Sequence, residues 1–248
     1  MLPTRFWAEM AWTDFKPEEM GEAIAVLPVA AVEQHGPHLP LGVDLFLMQG
    51  YIERVADRLP SDLPVLFLPI QSIGTSIEHR DFPGTLSLSA TSLMRVLVEI
   101  GTCVHRTGCR KLILLNSHGG NVALLDSVAH ELRAELEMFV VMATWHRFGY
   151  PDGLFSETEL AHGIHAGDIE TSLMLSFRPD LVRMEEAEDF ESASVVLGVK
   201  LLQTFVLRSE SALAGGVHDE QDFALVVGER LGLAVVEGSG EVVDGGHS

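Results

Sequence analysis

Glu33, His35 and Asp44 fall in one stretch, AIAVLPVAAVEQHGPHLPLGVD, where an apolar run stops abruptly at Glu33-Gln34-His35. Carboxylate and imidazole together suit zinc, manganese or ferrous iron. On an extended segment, side chains two residues apart point to the same side, so Glu33 and His35 would face one site. Asp44 opens the next element and could fold back toward them. His118 follows a second apolar run, inside Asn116-Ser117-His118-Gly119-Gly120-Asn121, and His165 and Glu170 flank the start of a helical pattern. These are the residue types of a two-metal hydrolytic site. Each also has a plainer reading. Glu33 and His35 could be a hydrogen-bonded pair. Glu170 could be an acid favoured by the dipole of a first helical turn, with Asp168 as a cap or first-turn acid. Gly119-Gly120 could let backbone approach a phosphate, but the turn has neither the length nor the lysine of a P-loop. The gathering of so many donors at element ends favours the metal.

The elements that must position them follow from periodicity. Residues 23–32 are apolar without alternation, as in a strand buried on both faces. From Asp44, Leu45, Met48, Ile52, Val55 and Leu59 keep helical spacing. Further strands are expected at 65–70, 111–115 and 138–144. Helices are expected around 93–104, 122–136 and 168–177, with a short one near 16–23. Residues 71–89 have no period and read as a long functional loop, as do 146–163. Strand and helix alternate through residue 145, which predicts parallel strands joined by crossovers. The fold class is α/β, a three-layer αβα sandwich around a mainly parallel sheet, Rossmann-like, in one domain over 1–237 with a tail over 238–248. In such folds sites form at the carboxyl ends of strands, so Glu33, His35 and His118 are placed to meet. Residues 195–206 and 219–233 carry helical patterns, and 185–191 reads as a solvated acidic turn.

The chain has 248 residues, 36 of them acidic and 16 basic, for a formal charge of −20. That surface argues against nucleic acid and anionic membranes as partners. No apolar run reaches bilayer length, and the first residues have no signal-peptide pattern, so the expected compartment is the cytoplasm. Cys103 and Cys109 match no ligand or redox spacing and read as reduced structural thiols.

The stretch from Glu33 to Asp44, EQHGPHLPLGVD, resembles the metal-binding signature of the creatininase family of amidohydrolases. The likeness continues in order with Ser76–Ser87 (SIEHRDFPGTLS), Asn116–Asn121 (NSHGGN) and His165–Ser172 (HAGDIETS), and Met10-Ala11-Trp12 resembles the family's opening. The resemblance implies an amidohydrolase that cleaves a C–N bond of a small cyclic amide, formamide or short peptide by a hydroxide bridging two metals. It implies two divalent ions per subunit (zinc, manganese or iron) and a homo-oligomer, often a hexamer. Glu33 would bind one ion and His35 the other. Asp44 would bridge them, His118 would complete the first site, and Glu170 would bind the second ion. His165 would protonate the leaving nitrogen. Ser76, Glu78, His79, Trp145, Gly119 and Gly120 would line the substrate side. Creatinine amidohydrolase has a Tyr-Glu pair after the histidine of its second metal motif. Gly119 and Gly120 stand there instead, so a carboxylate is missing or replaced by Glu170. His218 could reach a neighbouring subunit or be a surface histidine. Two rival functions remain open on the residues. One is a non-catalytic, metal-stabilised binding or assembly subunit. The other is a nucleotide-binding α/β protein, weakened by the lack of Gly-x-Gly-x-x-Gly after the first strand.

Overall fold

The computed structural model describes residues 2–162, 165–188, 235–236 and 242–243. The chain divides into two compact units, residues 1–191 and 192–248. The readings made for 195–206, 219–233 and His218 lie outside the described residues, as do the last residues of the acidic run and all of the tail except Val242–Val243.

In the first unit the strands are β1 (Ile24–Val29), β2 (Val65–Phe67), β3 (Lys111–Asn116) and β4 (Phe139–Thr144). They form one parallel sheet in the order β2-β1-β3-β4. β1 lies inside the sheet, which explains why its sequence is apolar without alternation. It ends at Val29, earlier than its apolar run. The segment beyond is pinned singly, by Ala30 N–H to the Gln71 carbonyl and by a bridge between Val32 and Leu86. β2 likewise stops at Phe67 rather than residue 70, because Pro69 has no N–H to give a ladder. Phe67 also pairs with Phe6, a contact the sequence did not reveal.

The helices are α1 (Pro17–Met20), α2 (Val43–Ala56), α3 (Ala90–Arg106), α4 (Val122–Leu136), α5 (Glu157–His162) and α6 (Asp168–Phe177). Leu93, Leu97, Val104, Leu125, Val128 and Leu132 pack with Ala25, Leu27, Leu112 and Leu114 on one face of the sheet. Met48, Ile52 and Ala56 pack with Val26, Val65, Phe67 and Leu115 on the other. Two helical layers enclosing a sheet make the expected α/β sandwich. α6 lies against α2, where the Phe177 ring occupies the room left by Gly50: a Cβ there would sit 2.5 Å from it. In the second unit β5 (Val235–Val236) and β6 (Val242–Val243) form an antiparallel pair.

The chain leaves β1 toward β2 on one side and returns to β3 on the other. The reversal of strand order therefore falls between β1 and β3, where open α/β sheets bind ligands at their carboxyl ends. No helix among the described residues is long and apolar enough to cross a membrane.

Candidate metal centre

Glu33 and His35 leave the carboxyl end of β1 on a turn at Gly36, whose φ of 70° belongs to the left-handed region that suits glycine. The Glu33 N–H bonds back to the Leu41 carbonyl at 2.8 Å, which closes the loop onto the start of α2. Asp44 is the second residue of α2 and is 3% exposed. His118 leaves β3 in a turn framed by buried asparagines. Asn116 Nδ2 donates to the His118 carbonyl and its Oδ1 accepts the His118 N–H. Asn121 Nδ2 donates to Asn116 and to the Ala30 carbonyl, and its Oδ1 accepts the Thr75 N–H. The first and last letters of NSHGGN thus tie three chain segments behind the histidine. Their spacing was visible, though their role was not.

The two buried histidines are each oriented by a backbone carbonyl. His35 Nδ1 is 3.1 Å from the Glu33 carbonyl and His118 Nε2 is 2.9 Å from the Thr75 carbonyl. A carbonyl only accepts, so each of those nitrogens carries a hydrogen and the other faces the carboxylates. His35 Nε2 stands 3.7 Å from Asp44 Oδ2 and 3.6 Å from Glu170 Oε1. His118 Nδ1 stands 3.1 Å from Glu33 Oε1 and 3.8 Å from Asp44 Oδ2. One oxygen of Asp44 therefore looks at both histidines, between a Glu33–His118 half and a His35–Glu170 half. Glu170 is held by its other oxygen, which accepts the Ala166 N–H at 2.7 Å.

Another set of hydrogen bonds fixes His165. The Gly36 N–H donates to Gln34 Oε1, so the amide nitrogen of Gln34 donates to His79 Nδ1 at 3.1 Å. His79 Nε2 then carries the hydrogen and donates it to His165 Nε2, also at 3.1 Å. That leaves His165 with its hydrogen on Nδ1, 3.8 Å from Glu33 Oε1. His79 also lies 3.9 Å from Glu33, so it borders the donors directly and not just the substrate side. Glu33, His79 and His165 make one group close enough to share an ion; others are Glu33, His35 and Asp44; His35, His165 and Glu170; and Glu33, Glu78 and His118. His38, also within the motif, bonds Thr171 of α6 at 2.9 Å and ties the turn after Gly36 to that helix.

Of the remaining expected residues, Ser76 is fully buried near these donors and Glu78 is exposed, 3.6 Å behind His118 Nε2. Gly119 has open space around it, whereas Gly120 is hemmed in by His118, Glu78 and Thr75. Trp145 is set apart from the donors. Its indole donates to the Met48 sulfur, its ring lies 4.6 Å from Tyr51, and it lines a cavity of about 330 Å³ with Tyr51, Tyr150, Phe155 and Leu173.

The electrostatics describe a site arranged for cations. Burial disfavours charge on Glu33, but the His118 ring beside it, by its contact and its charge, outweighs that and holds the carboxyl at about 2. Burial likewise opposes the charged forms of His35 and His118. Glu170 and Asp44 nonetheless lift His35 to about 10, and Glu33 and Asp44 lift His118 to about 9. Asp44 is pushed up to about 7, chiefly by burial. Burial and then the His35 charge depress His165, while Glu170 is held below the usual carboxylate range because His35 outweighs its burial. Even so, Glu33 Oε1 and Oε2, His35 Nε2, Asp44 Oδ2 and His165 Nδ1 are buried with no aligned hydrogen-bond partner. Buried polar atoms are normally satisfied, and those that are not call for an absent ion or water. Donor atoms 3.6–3.8 Å apart also match the spacing of two ligands on one ion at about 2 Å each. The residues present fit divalent metal.

A parallel α/β sheet carrying buried histidines and carboxylates at its strand-order reversal is a layout that suits divalent metal. Residues 8–223 match the family model for creatininase, described as creatinine amidohydrolase. The creatinine amidohydrolase of Pseudomonas putida is 34% identical over 207 residues, covering 78% of this chain and 80% of that protein. The mycofactocin precursor peptide peptidase of Mycolicibacterium smegmatis is 30% identical over 217 residues, covering 87% and 82%. A solved structure described as creatininase Mn superposes with a TM-score of 0.63 at 31% identity, covering 77% of this chain and 79% of that one. The chain belongs to the creatininase family. It is an amidohydrolase of that family, an enzyme of the class that hydrolyses carbon–nitrogen bonds.

Proposed function

We propose that the chain hydrolyses the C–N bond of a small cyclic amide, a formamide or a short peptide, using two divalent ions of zinc, manganese or iron. Glu33, His35, Asp44, His118 and Glu170 would hold them. The observation that carries this reading is the set of buried donor atoms of Glu33, His35 and Asp44 that lack partners around a shared space. When bound, such ions supply Lewis acidity: they polarise the amide carbonyl and make water a nucleophile at neutral pH. The chain's own residues do the rest. Carbonyls 33 and 75 fix which nitrogen each histidine offers, so the donors need no reorientation. His165 turns its Nδ1 edge toward the cluster, and in its imidazolium form, with a hydrogen on each nitrogen, it is the proton donor to the leaving nitrogen and returns to the neutral ring. A depressed pKa makes it a readier acid. Gln34 and His79 hold the ring in place. The solved relatives include a manganese form and one described as Zn-Zn type, which supports these metals for the chain.

The test is metal content with activity. Wild-type protein should hold close to two ions per chain and hydrolyse a member of an amide panel. Asp44→Ala should lose both ions and all turnover. An Asp44→Ala protein with full metal content would overturn the assignment, and a metal-replete wild type inert across creatinine, formamides and dipeptides would favour a non-catalytic subunit.

A further inference from the structure

Gly120 leaves open the space behind His118, and the structure gives that space an occupant. A Cβ at Gly120 would lie 2.5 Å from His118 Nε2, 2.6 Å from Glu78 Oε1 and 2.6 Å from the Thr75 carbonyl oxygen. No side chain tolerates three such contacts, one of them with backbone. Its immediate neighbour Gly119 has nothing within 4 Å of the same built atom. The restriction is therefore local to the rear of His118 and not a property of the turn.

Two groups use that opening. The Thr75 carbonyl accepts the Nε2 hydrogen of His118 at 2.9 Å, and the Glu78 carboxylate lies 3.6 Å from the same nitrogen. Nδ1, on the opposite edge of the ring, faces Glu33 and Asp44. Glu78 thus approaches the nitrogen already committed to Thr75, away from the atom that looks into the cluster. A histidine ligand is oriented and made more basic by an acceptor on its far nitrogen, and losing such a partner typically costs roughly 10–100-fold in metal affinity.

We propose that Gly120 is an opening through which the Thr75 carbonyl and the Glu78 carboxylate reach the rear of His118, making Nδ1 the metal-binding atom, with Glu78 as a positioning residue. This rests on the metal reading above, and the test separates the two.

Zinc and manganese affinities of full-length protein are measured by chelator competition for wild type, Glu78→Gln, Gly120→Ala, Gly119→Ala and Asp44→Ala, together with the His118 ring-nitrogen shifts of zinc-loaded wild type. Glu78→Gln keeps shape and removes charge at an exposed position, so it should fold normally; it is expected to weaken one ion by about 10-fold. Gly120→Ala should weaken the same ion by up to about 100-fold, while Gly119→Ala leaves both affinities unchanged. His118 should show a protonated Nε2 and a metal-bound Nδ1. Wild-type affinity in Glu78→Gln, or a His118 bound through Nε2, overturns the inference. If Asp44→Ala also keeps its metal, the site reading fails instead; if Asp44→Ala loses metal while Glu78→Gln and Gly120→Ala do not, only the role of Glu78 and Gly120 fails.

Discussion

His35 and His118 each spend one nitrogen on a backbone carbonyl and turn the other to carboxylates. The metal-free cluster is therefore held together by protons, with His35 titrating at about 10 and His118 at about 9. Both values lie above histidine's ordinary one, so their contribution to stability is complete below about 6.5 and is lost as pH rises through 9 and 10. Asp44, raised to about 7, acts in the same direction: its neutral form is the one burial favours, and stability falls as it ionises. Chelator-treated protein should accordingly show a urea midpoint that drops between about pH 8 and pH 10; a rising midpoint contradicts the assignment. Glu33 runs the other way, contributing above its ordinary value and losing that contribution as pH falls through about 2. Because metal must displace the histidine protons, uptake near pH 7 should release them. Calorimetry in two buffers of different ionisation enthalpy detects that, and a heat independent of buffer rules it out.

α2 and α6 carry Asp44 and Glu170 and pack on each other, so the distance between the two halves of the cluster depends on their seam. Gly50 lets the Phe177 ring sit close on α2. Gly50→Ala should push α6 outward, cost about 1–3 kcal/mol by overpacking, and loosen the ion proposed for Glu170; urea unfolding and metal affinity read the two effects separately. The same helices border the aromatic cavity, through Tyr51 on α2 and Leu173 on α6. Tyr51→Ala should raise KM for amides bearing a bulky apolar group while leaving metal content intact, and an unchanged KM across such substrates removes the cavity from substrate selection. These elements were legible because their signals are periodic: the stripe from Leu45 to Leu59 placed α2, and Asp168–Phe177 matched α6. Strand ends were less so, since the run through Val32 is apolar for burial beyond the ladder. The position of His79 was legible only through the family resemblance, which put it on the substrate side, and its closeness to Glu33 left no periodic signal. It comes from an aperiodic loop whose path is fixed by single contacts, such as Asn121 to Thr75 and Ser87 to Ser76, which leave no pattern along the chain.

Across the first unit, the donors come from β1's end, the start of α2, the loop before α3, β3's end and the start of α6. Ions bound only by the folded form stabilise it by mass action, about 2.7 kcal/mol at a hundredfold excess over Kd. For a domain of this size that corresponds to roughly 5–10 °C in Tm. A chelator should lower Tm by that order, and a Tm indifferent to metal argues against resident ions. The charge of −20 bears on substrate as well: it disfavours anionic amides and draws cations toward the surface.

His38 reaching Thr171 also has a consequence in time. The cluster opens at Glu33 and closes with Glu170, so more than half of the chain must exist before the donor set is whole. During synthesis the early donors wait with their carboxylates still hydrated, and full loading must follow the docking of α6. In a refolding experiment, tight metal capture should lag behind recovery of the sheet and keep pace with burial of Phe177 against α2. Substituting Thr171 by valine should lengthen that lag without altering the strands.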